Sequence, residues 1–278
     1  MSAPETKVIL SIAGSDPSGG AGIQADLKTF AAIGVYGGGA ITCLTAQNTN
    51  GVSTFLPVEV DFVSQQIKAV LTDMQVTHIK IGMIGTGRIA KAIADTLTDF
   101  TGELICDPVL KASLGPALLA PDDLGEFKKH LVGRATVLTP NRDELQTITG
   151  LPCNNSEEAL TAAHSLLNEY KNLNALVLKG GHLNEKDNQV TDYLLTREQN
   201  GPAILINQAV HPRITTRNSH GTGCTMASAF GAWHLLTGDY QQAFHQAVQF
   251  IDFLLKNSSQ HQIGHGNGPL LHHLWRNN

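Results

Sequence analysis

The sequence predicts an α/β fold: a central, mostly parallel sheet with helices on both faces, a three-layer sandwich. Three observations carry this. Short apolar, β-branched runs alternate with longer segments of helical period. The chain has 278 residues, 42% hydrophobic and 15% charged, which allows a large buried core without disulfide staples. No Pro/Ser-rich linker or charge run separates two halves, so a single domain over residues 1–278 is expected.

The elements follow in order. "KVILSIAG" (7–14), "GGAITCLTA" (38–46), "HIKIGMI" (78–84), "ELICDPVL" (103–110), "ATVLTPN" (135–141) and "ALVLKGG" (175–181) are short, apolar and bounded by Gly, Pro or Asn, as buried strands are. "GIQADLKTFAAIG" (22–34), "DFVSQQIKAVLTDM" (61–74), "GRIAKAIADTLTDF" (87–100) and "SEEALTAAHSLLNEYK" (156–171) space their apolar residues three and four apart, as helices do. "VTDYLLT" and "PAILINQAV" flank the turn-like "REQNG" (197–201), which predicts a late antiparallel addition to the sheet. In "YQQAFHQAVQFIDFLLKNSS" (240–259), Ala243, Phe244, Ala247, Val248, Ile251, Leu254 and Leu255 make one core-facing stripe.

Composition excludes several classes of function. A formal net charge of −5 with scattered Lys and Arg lacks the clustered positive field that a nucleic-acid surface needs, so no nucleic-acid partner is expected. Cys43, Cys106, Cys153 and Cys224 are far apart and form no C-x-x-C pair, which argues against a zinc cage and for reduced thiols. "MSAPETKVIL" is acidic where a signal peptide is basic, and no uncharged apolar run is long enough to span a bilayer. A cytoplasmic protein without a membrane partner is the expectation.

In such sheets ligands gather beyond the carboxyl ends of the strands, so the residues that follow each strand carry the chemistry. "GTGCT" (221–225) opens a helix, where unpaired N–H groups and the positive dipole end attract anions; Gly221 and Gly223 also serve a tight turn. It matches half of a dinucleotide fingerprint, but Met226 stands at the third glycine, which disfavours a nicotinamide oxidoreductase. No G-x-x-x-x-G-K-[ST] loop is present. Asp107, Asn141 and Glu144 follow predicted strands and suit a hydrated magnesium ion, while Asn141 and Glu144 equally suit a capping box. Lys179 is either a phosphate contact or a solvated lysine. Gly264 and Gly266 disrupt the helix that would align His261 with His265, so a loop role is expected there rather than metal ligation.

Taken together, "IAGSDPSGGAGIQADLKTFAAIGVYGGGAITCLTAQNT", "KIGMIG", "DPV", "TPNRDE", "LVLKGGHL", "HGTGCT" and "GHGNGP" resemble the hydroxymethylpyrimidine/phosphomethylpyrimidine kinases of thiamine biosynthesis over nearly the whole chain. The resemblance implies a ribokinase-like fold, ATP with Mg2+, a small pyrimidine alcohol as substrate and a homodimer. Position by position, it makes Gln47 the residue that grips the pyrimidine edge, with Gly14, Ala21, Asp26 and Met83 lining the same pocket. A primary amide offers one donor and one acceptor, as an aminopyrimidine does. Without the likeness, Asp26 and Lys28 read as a solvated helix face.

The resemblance also makes Gly221, Thr222, Gly223 and Cys224 an anion hole, with Cys224 where most sugar kinases have an aspartate base. The helix N-terminus is expected to lower the thiol pKa enough for appreciable thiolate near neutral pH. Asp107, Asn141 and Glu144 then act on Mg–ATP, Asp107 and Glu144 holding the metal chiefly through water, and Lys179 acts on the phosphates. One departure stands out: "KASLG" (111–115) replaces the family's lysine-serine-glycine triplet, so Lys111 is not assigned to ATP. A pyridoxal/pyridoxine kinase of the same superfamily is the nearest alternative. A ligand sensor without turnover is the rival outside enzymes.

Overall fold

Period-two alternation in the strands is what builds the layers. The computed structural model describes residues 6–112, 115, 117–182, 188–198 and 204–275. Its strands are β1 (Val8–Ser15), β2 (Tyr36–Asn48), β3 (Gly51–Pro57), β4 (Val76–Ile81), β5 (Glu103–Cys106), β6 (Val137–Leu138), β7 (Ala175–Leu178), β8 (Gln189–Arg197) and β9 (Ile204–Pro212). All lie in one sheet in the order β3-β2-β1-β4-β5-β6-β7-β8-β9. The six from β2 to β7 run parallel, and β3, β8 and β9 are antiparallel additions at the two edges.

Along β4 and β5, Ile79, Ile81, Leu104 and Cys106 face one core and Ile105 faces the other. The first core is covered by α2 (Val60–Leu71), α3 (Gly87–Thr96), α4 (Leu124–Phe127), α5 (Arg142–Thr149) and α6 (Ser156–Glu169). The second is covered by α1 (Gly22–Ile33), α7 (Thr222–Thr237) and α8 (Tyr240–Ser258). The α/β sandwich is therefore as expected, and the α8 stripe is buried, with Leu255 only partly so. No helix among the described residues is long and apolar enough to cross a membrane.

One sequence expectation changes and two elements are added to those expected. "GVSTFLP" is a strand, β3, whose half-exposed residues hide it from a search for apolar runs. The strands predicted over 78–84, 103–110 and 135–141 end at Ile81, Cys106 and Leu138, because the residues that follow leave the ladder to form the site. "PDDLGEFKKHLV" is helical throughout, as a 3-10 turn, α4 and a π turn, where no regular helical period is present to reveal it.

Connectivity places the site. The chain leaves β1 into α1 on one face and β4 into α3 on the other, so the crevice between these loops is a switch point at the carboxyl ends. Helix α7 reaches the same place because Gly231 lets it lie against Ile9 and Ile105; a Cβ there would be 3.2 Å from the Ile9 side chain.

At the far edge an ion cluster ties β9 to its neighbours. His211 Nε2 lies 3.1 Å from Asp192 Oδ2 on β8, and Nδ1 lies 2.7 Å from Asp252 Oδ1 on α8. Burial opposes the charged ring, but the two carboxylates outweigh it and raise its pKa to about 9. The folded state therefore holds a proton that the unfolded chain releases near 6.5. This contribution to stability is full below 6.5 and is lost as pH rises through about 9. Relative to wild type, His211→Asn is expected to lower the thermal midpoint at pH 6, with the deficit shrinking above pH 9, as calorimetry across that range will show.

Candidate active site

The loop "SDPSGGAG" is organised by its own aspartate. Asp16 accepts hydrogen bonds from Ser18 N (2.8 Å), Ser18 Oγ (2.7 Å), Gly20 N (3.1 Å), Ala21 N (2.8 Å) and His220 Nε2 (2.8 Å). Burial raises the pKa of such a carboxyl, yet these donors prevail and hold it at about 2. Lys28 Nζ closes the loop on the Gly19 carbonyl at 2.7 Å. The signal for Asp16 lay in "DPSG", an Asx-turn sequence, but its tie to His220, 204 residues away, is invisible in the chain.

Gly14 and Met83 meet across the switch point: a Cβ on Gly14 would lie 3.0 Å from the Met83 sulfur. The Met83 carbonyl is held by Thr42 Oγ1 at 2.6 Å. Both ladders beside them break register, at Ala13/Ser15 and at Ala46/Gln47. The second irregularity sits at Gln47, a common position for a bulge that re-aims a functional side chain. Gln47 then contacts His220 at 3.0 Å, and with Thr49, Ala112, Ser219 and Asn267 the two line a narrow cleft. The terminal "GHGNGP" closes this cleft, with Asn267 N bonded to Thr49 O (2.8 Å) and His220 N to Gly268 O (3.1 Å). His261 and His265 sit outside helices, and no cluster of three or more metal-ligating side chains occurs among the described residues.

Gly221, in the left-handed region at φ 83°, caps α7 against Gly20, where a Cβ would lie 1.8 Å from the Gly20 carbonyl oxygen. Any side chain there collides with main chain, so the glycine serves the close approach of two site loops. Of the four N–H groups expected in the anion hole, Thr222's is turned to the Ser219 carbonyl at 3.3 Å. Gly223 and Cys224 occupy the next positions of the first turn, where N–H groups lack acceptors within the helix. Lys179 Nζ is beside them, 3.4 Å from where a Gly223 Cβ would stand.

Cys224 is partly exposed at this helix start and accepts a hydrogen bond from the Gly22 backbone. The expected thiolate is not what the site holds. Burial, with Asp107 and Asp26, pushes the thiol up to about 11, against the opposing pull of Lys80. The helix end is present, but burial, reinforced by the carboxylates behind it, reverses the balance that was expected.

Asp26 is a second correction. It is fully buried, and its oxygens are taken by Lys80 Nζ (2.9 Å to each), Ser11 Oγ (2.6 Å) and Ser228 Oγ (2.7 Å). No valence faces the cleft, so Asp26 lies beneath the pocket rather than in its wall. Lys80 itself escaped notice, although a lysine between isoleucines in a buried strand is a signal that an anion lies opposite.

A second group of candidates sits at the ends of β5, β6 and β7. Asp107 Oδ1 receives Lys179 Nζ (2.8 Å) and Thr139 Oγ1 (3.1 Å). Asn141 and Glu144 form a complete capping box on α5, and Lys179 lies 3.6 Å from Glu144 Oε2. The capping and site readings of this pair thus coexist. Burial would raise the Asp107 pKa, but Lys179 and then Lys80 hold it below the usual range. Glu144 goes the other way: burial pushes it to about 7, the Asp107 charge adds to the rise, and Lys179 opposes it. Lys111 is exposed and bridges to Ala117; Ser113 and Leu114 of "KASLG", and Leu183 of "LVLKGGHL", lie outside the described residues.

Two outcomes follow. Asp26→Ala leaves the Lys80 ammonium buried and unpaired, and is expected to cost about 3–5 kcal/mol in chemical denaturation; unchanged stability with lost substrate affinity would return Asp26 to the pocket wall. Between 4.5 and about 7 folded Glu144 keeps a proton that the unfolded chain has released, so its contribution to stability falls as pH rises through that window. Glu144→Gln is therefore expected to raise the thermal midpoint at pH 8 and to leave it nearly unchanged at pH 4.

Comparison with known proteins identifies the family. Residues 16–271 match the family model described as phosphomethylpyrimidine kinase. The hydroxymethylpyrimidine/phosphomethylpyrimidine kinase of Escherichia coli is 38% identical over 269 residues, covering 96% of this chain and 97% of the relative. Bacillus subtilis pyridoxal kinase, solved as an ADP complex, superposes with a TM-score of 0.84 at 28% identity, covering 96% and 98% of the two chains. The phosphomethylpyrimidine kinase of Clostridium difficile gives a TM-score of 0.75 at 33% identity, covering 89% and 99%. With a family match over most of its length and a relative this similar from end to end, the chain belongs to the phosphomethylpyrimidine kinase family.

Proposed function

We propose that this protein, one kinase domain over residues 1–278, transfers phosphate from ATP to 4-amino-5-hydroxymethyl-2-methylpyrimidine and to its monophosphate, forming the pyrophosphate used in thiamine biosynthesis. One observation carries the reading: His220 joins the amide of Gln47 directly to the glycine turn at Gly221. The groups for gripping a ring and for holding an anion are thus one residue apart. Gly14, Ala21 and Met83 complete the ring pocket in this reading.

The N–H groups of Gly223 and Cys224, with Gly221 shaping the turn, hold the transferring phosphoryl group, and Lys179 neutralises part of its charge. Asn141 sets Glu144 by their mutual hydrogen bonds. A divalent cation fits beside them: two ammonium groups, Lys80 and Lys179, face three carboxyl groups, and the buried Asp107 Oδ2 has no partner among the described residues. Asp107 and Glu144 would hold magnesium chiefly through water, where the ion would neutralise nucleotide phosphates. ADP in the B. subtilis relative supports nucleotide use.

Cys224 takes the proton of the substrate hydroxymethyl group as its oxygen bonds to phosphorus. The loose transition state of phosphoryl transfer tolerates a late base, so a small thiolate fraction suffices. Four unpaired thiols accord with a reducing compartment such as the cytoplasm. A homodimer is the assembly that we propose from the family likeness. The B. subtilis pyridoxal kinase keeps a second reading in view, in which a pyridine alcohol enters the same cleft.

Phosphorus NMR of ATP with the pyrimidine alcohol is expected to show one phosphate and then two on the product; phosphorylation of pyridoxal alone would favour the second reading. Cys224→Ala is expected to lower kcat by about 10²–10⁴-fold with KM for ATP little changed. Wild-type kcat should rise with pH between 7 and 9.5 as the thiol ionises, and this rise should vanish in the variant.

A further inference from the structure

The cleft contains a hydrogen-bond conflict that resolves in only one way. Gln47 Nε2 is placed 3.0 Å from His220 Nε2, and Gln47 Oε1 3.3 Å from Thr45 Oγ1. The same His220 nitrogen lies 2.8 Å from Asp16 Oδ2, and four other donors, Ser18 N and Oγ, Gly20 N and Ala21 N, already hold this group as a carboxylate. A carboxylate only accepts, so Nε2 must carry a proton, and it then meets the Gln47 NH2 donor to donor. Thr45 Oγ1 lies 2.9 Å from the Ser15 carbonyl, which also only accepts, so the single Thr45 proton is spent there. What Thr45 offers Gln47 is a lone pair. Both ends of the amide therefore demand the same half-turn, with oxygen toward His220 and nitrogen toward Thr45.

We propose that the Asp16–His220 pair is a positioning device that fixes the polarity of the Gln47 amide and so sets which pyrimidines the kinase accepts. Asp16 fixes the proton on Nε2, and the Nε2 proton is shared between Asp16 and the Gln47 oxygen. Gly20 makes room for the imidazole: a Cβ there would lie 2.3 Å from His220 Cδ2. After the half-turn one lone pair of Oε1 and one N–H of Nε2 remain free. They present an acceptor on the side of the glycine turn and a donor on the side of β1. A ring with an exocyclic amine next to an unprotonated ring nitrogen satisfies both, amine toward His220. A 4-oxo ring places oxygen against oxygen and is refused, because a site that leaves its own polar atoms unpaired discriminates strongly.

This rests on the reading that Gln47 grips the substrate ring, and the test separates the two. Wild type, His220→Leu and His220→Gln are compared for kcat/KM on 4-amino-5-hydroxymethyl-2-methylpyrimidine and on its 4-oxo analogue. Glutamine restores an N–H at the position of Nε2. The preference for the amine is expected to fall by about tenfold or more in His220→Leu, through KM for the pyrimidine rather than KM for ATP, and to return in His220→Gln. Full preference in a folded His220→Leu overturns the proposal. Independently, nitrogen-15 NMR of labelled histidine, with the His220 signals assigned by their loss in His220→Gln, is expected to show a protonated Nε2 in the wild type. An unprotonated Nε2 overturns the proposal whatever the kinetics. If wild type phosphorylates neither alcohol, the substrate reading falls, and the nitrogen shift alone decides the relay.

Discussion

One buried carboxylate holds the centre of this molecule together. Asp26 of α1 receives Ser11 of β1, Lys80 of β4 and Ser228 of α7, so four elements from three regions of the chain meet on two oxygen atoms. Removing a carboxylate and an ammonium from water is costly, and the attraction between them recovers that cost only when the remaining valences are also filled. Two hydroxyls fill them here. The cluster sits where α7 must lie for its first turn to meet the carboxyl ends of β1, β4 and β5, so a core interaction fixes the alignment of the site above it.

The charges around that cluster decide how the site behaves. Lys80 and Lys179 stand among Asp26, Asp107 and Glu144, and each carboxyl responds differently to the same two cations. Asp107 is held ionised by contact with Lys179, Glu144 is left near neutrality by burial, and the Cys224 thiol is kept protonated by burial, to which the carboxylates behind it add. A helix N-terminus alone would have favoured thiolate; carboxylates in a poorly solvated pocket outweigh it. The proposed anion hole and proton acceptor thus occupy the same helix turn, with charge requirements that pull in opposite directions.

The two sides of the cleft are built by different means. The proposed nucleotide side uses strand ends and the capping box of α5, local structure that the proposal recruits for chemistry. The proposed ring side uses loops that meet from remote parts of the chain: Asp16 after β1, Gln47 at a register break in β2, His220 before α7 and the terminal glycine segment over them. A glycine at 20 and another at 221 allow these loops to touch without side chains between them.

By itself the sequence determined the alternating elements, the parallel sheet, the core stripe of α8, the capping box of Asn141 and Glu144, and the motifs that mark the family. All are written in local period or composition, where neighbours in the chain are neighbours in space. Tertiary structure alone decided that Asp26 is a core anchor rather than a pocket wall, that Lys80 is its partner, that "GVSTFLP" is a strand, and that His220 bridges Asp16 to Gln47. It also decided the protonation of Cys224. Those outcomes depend on which charges and valences meet across tens to hundreds of residues, and on how much water is left between them, quantities that no local pattern encodes.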